Sequence, residues 1–133
     1  MIFVAKQKEE CLKRLKKLFE NLDTGMTRQK YLTMMEQLNQ EPKEHEIPPD
    51  WEDFPDEVVH AINVYGLLGD KIYPEVGFTG KDYTNLPIYL EIYEVKDKEF
   101  FLEILNILDS RAIKKSSEAL KKEYDKLKRK NSG

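Results

Sequence analysis

Apolar side chains recur at helical spacing near the start of the chain. Within residues 5–22 they are separated by three or four positions: Leu12, Leu15, Phe19 and Leu22. Lysines occupy the opposite face, and Gly25 follows, a residue that readily adopts the left-handed conformation that ends a helix. The pattern predicts a first amphipathic helix with a basic outer face.

Three further helices are predicted before residue 97. Thr27 is suited to cap the second helix, because its hydroxyl can accept a hydrogen bond from a backbone N–H of the first turn. Pro55 suits the start of a third helix that ends near Gly69, and Pro87 suits the first turn of a fourth. The fourth helix is predicted to bury four side chains: Ile88, Tyr89, Ile92 and Tyr93.

The segment 70–83 breaks the helical pattern. It contains Pro74, Gly77 and Gly80, and its short apolar runs could form strands. An isolated two-stranded hairpin is only marginally stable in water. We therefore predict an ordered loop whose aromatic side chains pack on the helices. Residues 77–81 resemble a phosphate-binding loop only in composition, because the spacing between the glycines is too short.

The last helix has the strongest pattern. From Lys98 to about Lys128 there is no glycine or proline, and the stretch from Phe100 to Leu108 is apolar on nearly all sides, which predicts burial. Beyond it, a narrow seam of positions steps by four and three residues: Ile113, Ser117, Leu120, Tyr124 and Leu127. Such a seam is typical of a helix that packs against another helix.

These elements predict an all-α protein, a single helical bundle of about five helices with a long C-terminal helix. The 133 residues are close to the usual size of one domain. Within this domain, 1–133, we distinguish a basic N-terminal helix at 1–25, a core at 26–110 and a basic, protruding helical tail at 111–133.

Charge is sorted into three blocks along the chain. Residues 1–35 carry a net charge of +4, residues 36–110 carry −13 and residues 111–133 carry +6, so the formal net charge of −3 hides two basic ends around an acidic middle. Opposite charges attract over about 8–10 Å in ordinary salt. The basic ends are therefore expected to meet the acidic middle, another copy of the chain, or an external polyanion.

Several kinds of chemistry are not expected. Cys11 is the sole cysteine, so no intramolecular disulfide can form, which fits a reducing compartment. No stretch reaches the roughly 18–20 apolar residues of a membrane span, and the apolar start followed by charge is the reverse of a secretion signal. His45 and His60 lack metal-ligand spacing. We predict no metal site, no cofactor, no catalytic set and no membrane partner.

The basic tail is the best candidate for function. Its seam residues and the lysines beside them would contact a protein partner or a second copy: Ile113, Leu120, Tyr124, Leu127, Lys121, Lys122 and Lys126. Alternatively, the first helix packs along the tail and both expose lysines to water. We therefore predict a non-enzymatic interaction or assembly protein. A nucleic-acid-associated packaging or replication accessory is the first alternative, and an enzyme with a dispersed site is the second.

The middle of the chain resembles small proteins encoded by tailed bacteriophages. The resemblance covers residues 26–110 and rests on short stretches: Met26–Tyr31, Glu41-Pro42, Glu46–Pro48, Asp53–Pro55, Glu57-Val58 and Gly80–Asp82. It implies a role in virion assembly, or as a structural accessory, and places the protein in the cytoplasm of the host cell or in the virion. No catalytic residue is implied, and residues 1–25 would be an added basic helix.

Overall fold

The computed structural model describes residues 5–132, and the chain divides into two compact units, Met1–Val59 and His60–Gly133. Five α-helices and one two-stranded sheet are present in that described range. The apolar residues 1–4, on which the argument against a secretion signal depended, lie outside it. The division into N-terminal helix, core and tail stays a prediction.

The first unit is built on two helices, α1 (Ala5–Thr24) and α2 (Arg28–Gln37), followed by two short 3₁₀ turns, Glu44–Glu46 and Trp51–Asp53. The Thr27 side chain accepts a hydrogen bond from the Lys30 backbone N–H, so the predicted cap of α2 is confirmed. Of the apolar face predicted for α1, Leu15 and Phe19 are buried, whereas Leu12 is half-buried and Leu22 is 41% exposed. The buried apolar residues of this unit are Leu15, Leu18, Phe19, Tyr31, Met35, Phe54 and Val58.

The second unit contains most of α3 (Asp56–Leu67), the strands β1 (Asp70–Tyr73) and β2 (Gly77–Lys81), and the helices α4 (Leu86–Ile92) and α5 (Lys98–Ser132). Its core is dominated by one face of α5 together with residues of α3 and α4. The buried apolar residues are Ala61, Val64, Leu68, Leu86, Phe100, Phe101, Ile104, Leu105 and Leu108.

The all-α prediction is too simple, because residues 70–83 form a β-hairpin rather than a loop. The two strands are antiparallel, with Tyr73 opposite Gly77 and Asp70 opposite Lys81. A hairpin of this size is marginal alone. Here β2 packs on α5, so a tertiary contact supplies the stability that the local sequence lacks. The fold is mostly α-helical, with one small sheet.

The predicted buried face of α4 is wrong in part. Ile88 and Ile92 are 57% and 66% exposed, whereas Leu86 is buried and Tyr89 and Tyr93 are half-buried. The helix has only seven residues, so its packing is set by its ends rather than by a full apolar stripe. Two isoleucines are therefore left facing water.

The long last helix is confirmed. The Asp97 carboxylate accepts a hydrogen bond from the Phe100 backbone N–H at 3.1 Å, which caps its start. The 35 residues of α5 span about 52 Å at 1.5 Å per residue. Of the predicted buried stretch, five side chains are buried but Leu102 is exposed.

Candidate interaction surface at the end of α5

The position of the hairpin on α5 depends on two glycines of β2. Both have positive φ, which favours glycine. A Cβ on Gly77 would lie 2.9 Å from Leu120 Cδ1, and a Cβ on Gly80 would lie 3.3 Å from Asp109 Oδ2. The Phe78 backbone N–H also donates to Ser116 Oγ at 3.3 Å. The strand backbone therefore lies directly against the helix, where an added side chain at either glycine would crowd Leu120 or Asp109.

Asp109 of α5 is the buried polar centre of this contact. Its carboxylate accepts hydrogen bonds from the Tyr83 hydroxyl at 2.6 Å and the Tyr65 hydroxyl at 3.0 Å. The Lys81 backbone N–H donates to both carboxylate oxygens, at 3.1 and 3.2 Å. The Asp109 side chain thus joins α5 to three other parts of the second unit: α3, β2 and the segment before α4.

The phenols around Asp109 are held in their protonated form. Burial raises the pKa of Tyr65 and of Tyr83 well above the usual value, and the hydrogen bond to the negative carboxylate raises it further. The Lys81 ammonium pairs with Asp70 at 2.6 Å and lies 4.8 Å from the centre of the Tyr65 ring. A protonated phenol bonded to a carboxylate positions the hairpin; it is not poised to remove a proton at neutral pH.

The hairpin covers the first part of the predicted seam of α5. Ile113 lies 3.7 Å from the Cβ position of Gly80, and Leu120 meets Gly77, so both residues contact the protein's own hairpin. Ser117 is exposed. Their neighbour within the chain is β2, which the sequence pattern did not place there, and the prediction that Ile113 and Leu120 meet a partner stays a prediction.

The same stripe continues beyond the hairpin without cover. Tyr124 and Leu127 follow Leu120 by one and two helical turns and are 54% and 55% exposed. Every residue from 121 to 131, a segment called the helix end from this point on, is exposed. Within the seam, these two apolar side chains are the most exposed, and Ile113 follows at 36%.

The helix end is strongly cationic. Residues 121–131 contain six basic and two acidic residues, a net charge of +4. The predicted contact lysines Lys121, Lys122 and Lys126 are all exposed, and Lys126 Nζ lies 4.0 Å from Glu123 Oε1, a weak exposed pair. An apolar pair surrounded by cations is a surface suited to an acidic partner.

In the first unit, the guanidinium of Arg28 ties α2 to the segment that follows it. It donates to the Pro48 carbonyl at 3.0 Å, to Glu52 at 3.2 Å and to Asp53. Burial would raise the pKa of Asp53, but hydrogen bonds from the Asp50 backbone and from Arg28 outweigh it and hold that pKa below its usual range. Three hydrogen bonds of Arg28 therefore connect α2 to residues 48–53 of the acidic segment.

The remaining candidates from the sequence have structural or solvent-facing positions. Trp51 is 39% exposed and packs edge-on against Phe19, with ring centroids 6.0 Å apart. Cys11 is half-buried, and burial raises the pKa of its thiol, so it is not an activated nucleophile. Within residues 5–132, no group of three or more histidine, cysteine or acidic side chains could hold a metal ion, and no helix is long and apolar enough to cross a membrane.

Sequence reasoning missed the Asp109 network. One signal was available: Asp109 lies four residues after Leu105 and four before Ile113, so it occupies an apolar stripe where a carboxylate needs a partner. The partners themselves, Tyr65 and Tyr83, are 44 and 26 residues away along the chain. No local pattern connects them.

Comparisons of the chain with protein-family models, with curated proteins and with solved structures gave no match.

Proposed function

We propose that this chain is a non-enzymatic interaction and assembly protein that associates through the helix end of α5. The observation that carries the proposal is the exposed pair Tyr124 and Leu127 on a helix surface with a net charge of +4. Exposed apolar side chains within a charged rim are characteristic of protein interfaces, and aromatic residues often dominate their affinity.

The resemblance of residues 26–110 to small proteins of tailed bacteriophages supports a role in virion assembly or as a structural accessory. In that setting residues 26–110, the part that resembles the bacteriophage proteins, would be the common scaffold. The basic helix end would be the part that makes contact with neighbouring subunits.

Nucleic-acid association is the second candidate, because six cations over about three helical turns could neutralise phosphates and release counterions. Lysine outnumbers arginine in the helix end, and readout of bases more often uses arginine, asparagine or glutamine. Binding of this kind would therefore follow phosphate charge rather than base sequence.

Light scattering tests the proposal on the full chain and on a chain ending at Leu120, which keeps the hairpin contact. We expect the full chain to associate reversibly at about 0.1–1 mM, the range in which small interfaces form, and the shortened chain to stay monomeric. Circular dichroism should show unchanged helical signal per residue. The control Asn106→Ser alters an exposed position of α5 outside the helix end and should associate as the full chain does.

A full chain that remains monomeric throughout this range, or a shortened chain that associates equally well, would overturn the proposal. Retention of a monomeric full chain on DNA, weakened by salt and lost in the triple variant Lys121→Glu, Lys122→Glu and Lys126→Glu, would instead establish the nucleic-acid candidate.

A further inference from the structure

The first unit contains a groove bordered by α1, α2 and the segment 44–53. Two cavities form this groove, of about 490 Å³ and about 200 Å³, and both are lined by Arg28 and Pro49, so they adjoin. Cavities that bind small molecules commonly measure about 300–1,000 Å³. The groove is therefore large enough for a small organic ligand.

The larger of the two, called the cationic cavity below, presents two positive charges that have no close partner. Arg14 and Lys17 line it from α1, and neither side chain has a hydrogen bond or an ion pair in the part of the chain that the structure describes. Arg28 also lines it, but its guanidinium is already paired with Asp53. Glu44 is the other carboxylate of the lining, so two unpaired cations face one carboxylate. An anion beside Arg14 and Lys17 would be attracted to this wall.

The smaller, called the Trp51 cavity below, combines apolar walls with a hydrogen-bond donor that lacks an acceptor. Leu18, Pro49 and the indole of Trp51 supply apolar surface. The side-chain nitrogen Nδ2 of Asn21, which lines the same cavity, is buried and has no hydrogen-bond partner among the described residues. A buried donor without an acceptor is unfavourable, so a ligand atom that accepts from Asn21 would gain free energy on binding.

The two sets of groups lie close together on one face of α1. Lys17 and Asn21 are four residues apart, a spacing that places their Cβ atoms about 5–6 Å from each other. A single small molecule can therefore reach a cation with one end and the Asn21 donor with the other. Such a molecule needs an anionic group joined to a flat ring that carries hydrogen-bond acceptors.

We propose that this groove binds a nucleoside monophosphate, with its phosphate beside Arg14 and Lys17 and its base in the Trp51 cavity. A phosphate monoester carries a charge of about −1.5 to −2 at neutral pH, which matches two cations, and arginine binds phosphate through paired hydrogen bonds. Bases pack on aromatic side chains, and asparagine pairs well with the edge of adenine. The proposal concerns the first unit and does not rest on the helix end.

Calorimetry on the full chain tests it with three probes: adenosine 5′-monophosphate, adenosine and ribose 5-phosphate. We expect the nucleotide to bind with a Kd below about 1 mM, and each of the two fragments to bind at least about tenfold more weakly. Trp51 is the sole tryptophan of the sequence. Its emission should therefore change with the nucleotide and with adenosine, but not with ribose 5-phosphate.

Charge variants test the cationic cavity. Lys17→Gln should weaken binding of the nucleotide by about three- to tenfold, because it removes a cation beside the phosphate. Glu44→Gln should strengthen it by about twofold, because it removes a like charge from the same cavity. The control Lys16→Gln takes the same charge from an exposed residue that lines neither cavity, and it should bind as the unsubstituted chain does.

Asn21→Leu tests the Trp51 cavity. It should weaken binding of the nucleotide and of adenosine by about three- to tenfold and leave ribose 5-phosphate unchanged, because the donor to the base is lost. Replacing an unpartnered buried donor by an apolar group of similar size is close to neutral for stability. The thermal midpoint of this variant should therefore not fall, which separates a ligand contact from a structural role.

Three results would overturn the proposal. They are a nucleotide that shows no binding up to about 5 mM, a ribose 5-phosphate that binds as tightly as the nucleotide, and equal weakening by Lys16→Gln and Lys17→Gln. A poly-glutamate peptide that binds the groove more tightly than the nucleotide would also overturn it, and would assign the groove to an acidic protein segment instead.

Discussion

Asp109 is the residue on which the arrangement of the second unit depends most directly. A buried carboxylate is costly unless it is hydrogen-bonded. Here two phenols and one backbone N–H supply the donors. Each of these donors would in turn lose its acceptor without Asp109, so the side chain contributes more to stability than any one of its hydrogen bonds.

Replacing this carboxylate should be strongly destabilising. We expect Asp109→Ala to lower the free energy of unfolding by about 2–4 kcal/mol, because three buried or half-buried donors lose their acceptor. Urea unfolding followed by circular dichroism measures the change. The control Asp125→Ala, on the exposed part of the same helix, should unfold as the unsubstituted chain does. A loss below about 0.5 kcal/mol in Asp109→Ala would contradict this account.

The two phenols bonded to Asp109 should ionise late. Their folded-state pKa lies above the unfolded value, so their contribution to stability is complete below about pH 10 and is lost as the pH rises through the folded pKa. Tyrosinate absorbance should show a late phase that shrinks in Tyr65→Phe and in Tyr83→Phe. The control Asp125→Ala leaves both phenols and Asp109 in place and should keep the late phase.

At the scale of elements, the hairpin and α5 form one structural unit. The glycines of β2 let its backbone approach the helix, and the helix covers a strand pair that would not persist alone. The hairpin in turn affects which part of α5 is available to a partner, because it contacts Ile113 and Leu120 and leaves Tyr124 uncovered.

Adding one methyl group at the closest approach tests this dependence. We expect Gly77→Ala to destabilise the protein by about 1–3 kcal/mol, because its φ is +85° and the new Cβ would meet Leu120 and Ser116. Gly66→Ala is the matched control, for which we expect a change in the free energy of unfolding of opposite sign. It lies in α3 with no atom within 4 Å of the added Cβ, so it should stabilise by about 0.5–1 kcal/mol. Thermal or urea unfolding of both variants measures the two changes in stability and tests whether their signs differ.

The sequence predicted the elements whose signals are local. The cap at Thr27 and the unbroken run of α5 each depend on neighbouring residues, and both are present. The hairpin was missed because its stability comes from α5, about thirty residues further along. The burial of Ile88 and Ile92 was wrong because helical periodicity identifies a face but not what covers it.

The candidate surface was predicted only in part, for the same reason. Periodicity identified the stripe of α5, and the structure leaves Tyr124 and Leu127 exposed within it. Periodicity alone could not show that Ile113 and Leu120 contact β2, or that Asp109 continues the stripe as a buried polar position.

At the scale of the whole molecule, the segregation of charge favours association between unlike surfaces. The helix end carries +4, whereas residues 36–110 carry 18 acidic and 5 basic residues. Identical surfaces of this kind repel each other, and complementary ones attract. The charge order along the chain is therefore a reason to expect head-to-tail contacts.

Salt should weaken this association. At about 0.5 M salt the screening length falls to about 4 Å, so we expect the association constant of the full chain to fall by about three- to tenfold. Light scattering across a salt series measures it, with the chain ending at Leu120 as a control that should not respond. Association that grows steadily stronger with salt would show that apolar burial alone governs the contact and that attraction between opposite charges contributes nothing to it.

Trp51 gives the first unit a natural optical label. It is the sole tryptophan of the sequence, packs against Phe19 and Phe54, and follows directly after Asp50 in the turn that Asp53 and Arg28 hold together. Because the pKa of Asp53 is lowered, that turn keeps its charge pair until the solution is more acidic than an ordinary aspartate requires. A red shift of indole emission on acidification would therefore signal release of the turn, with no dye attached.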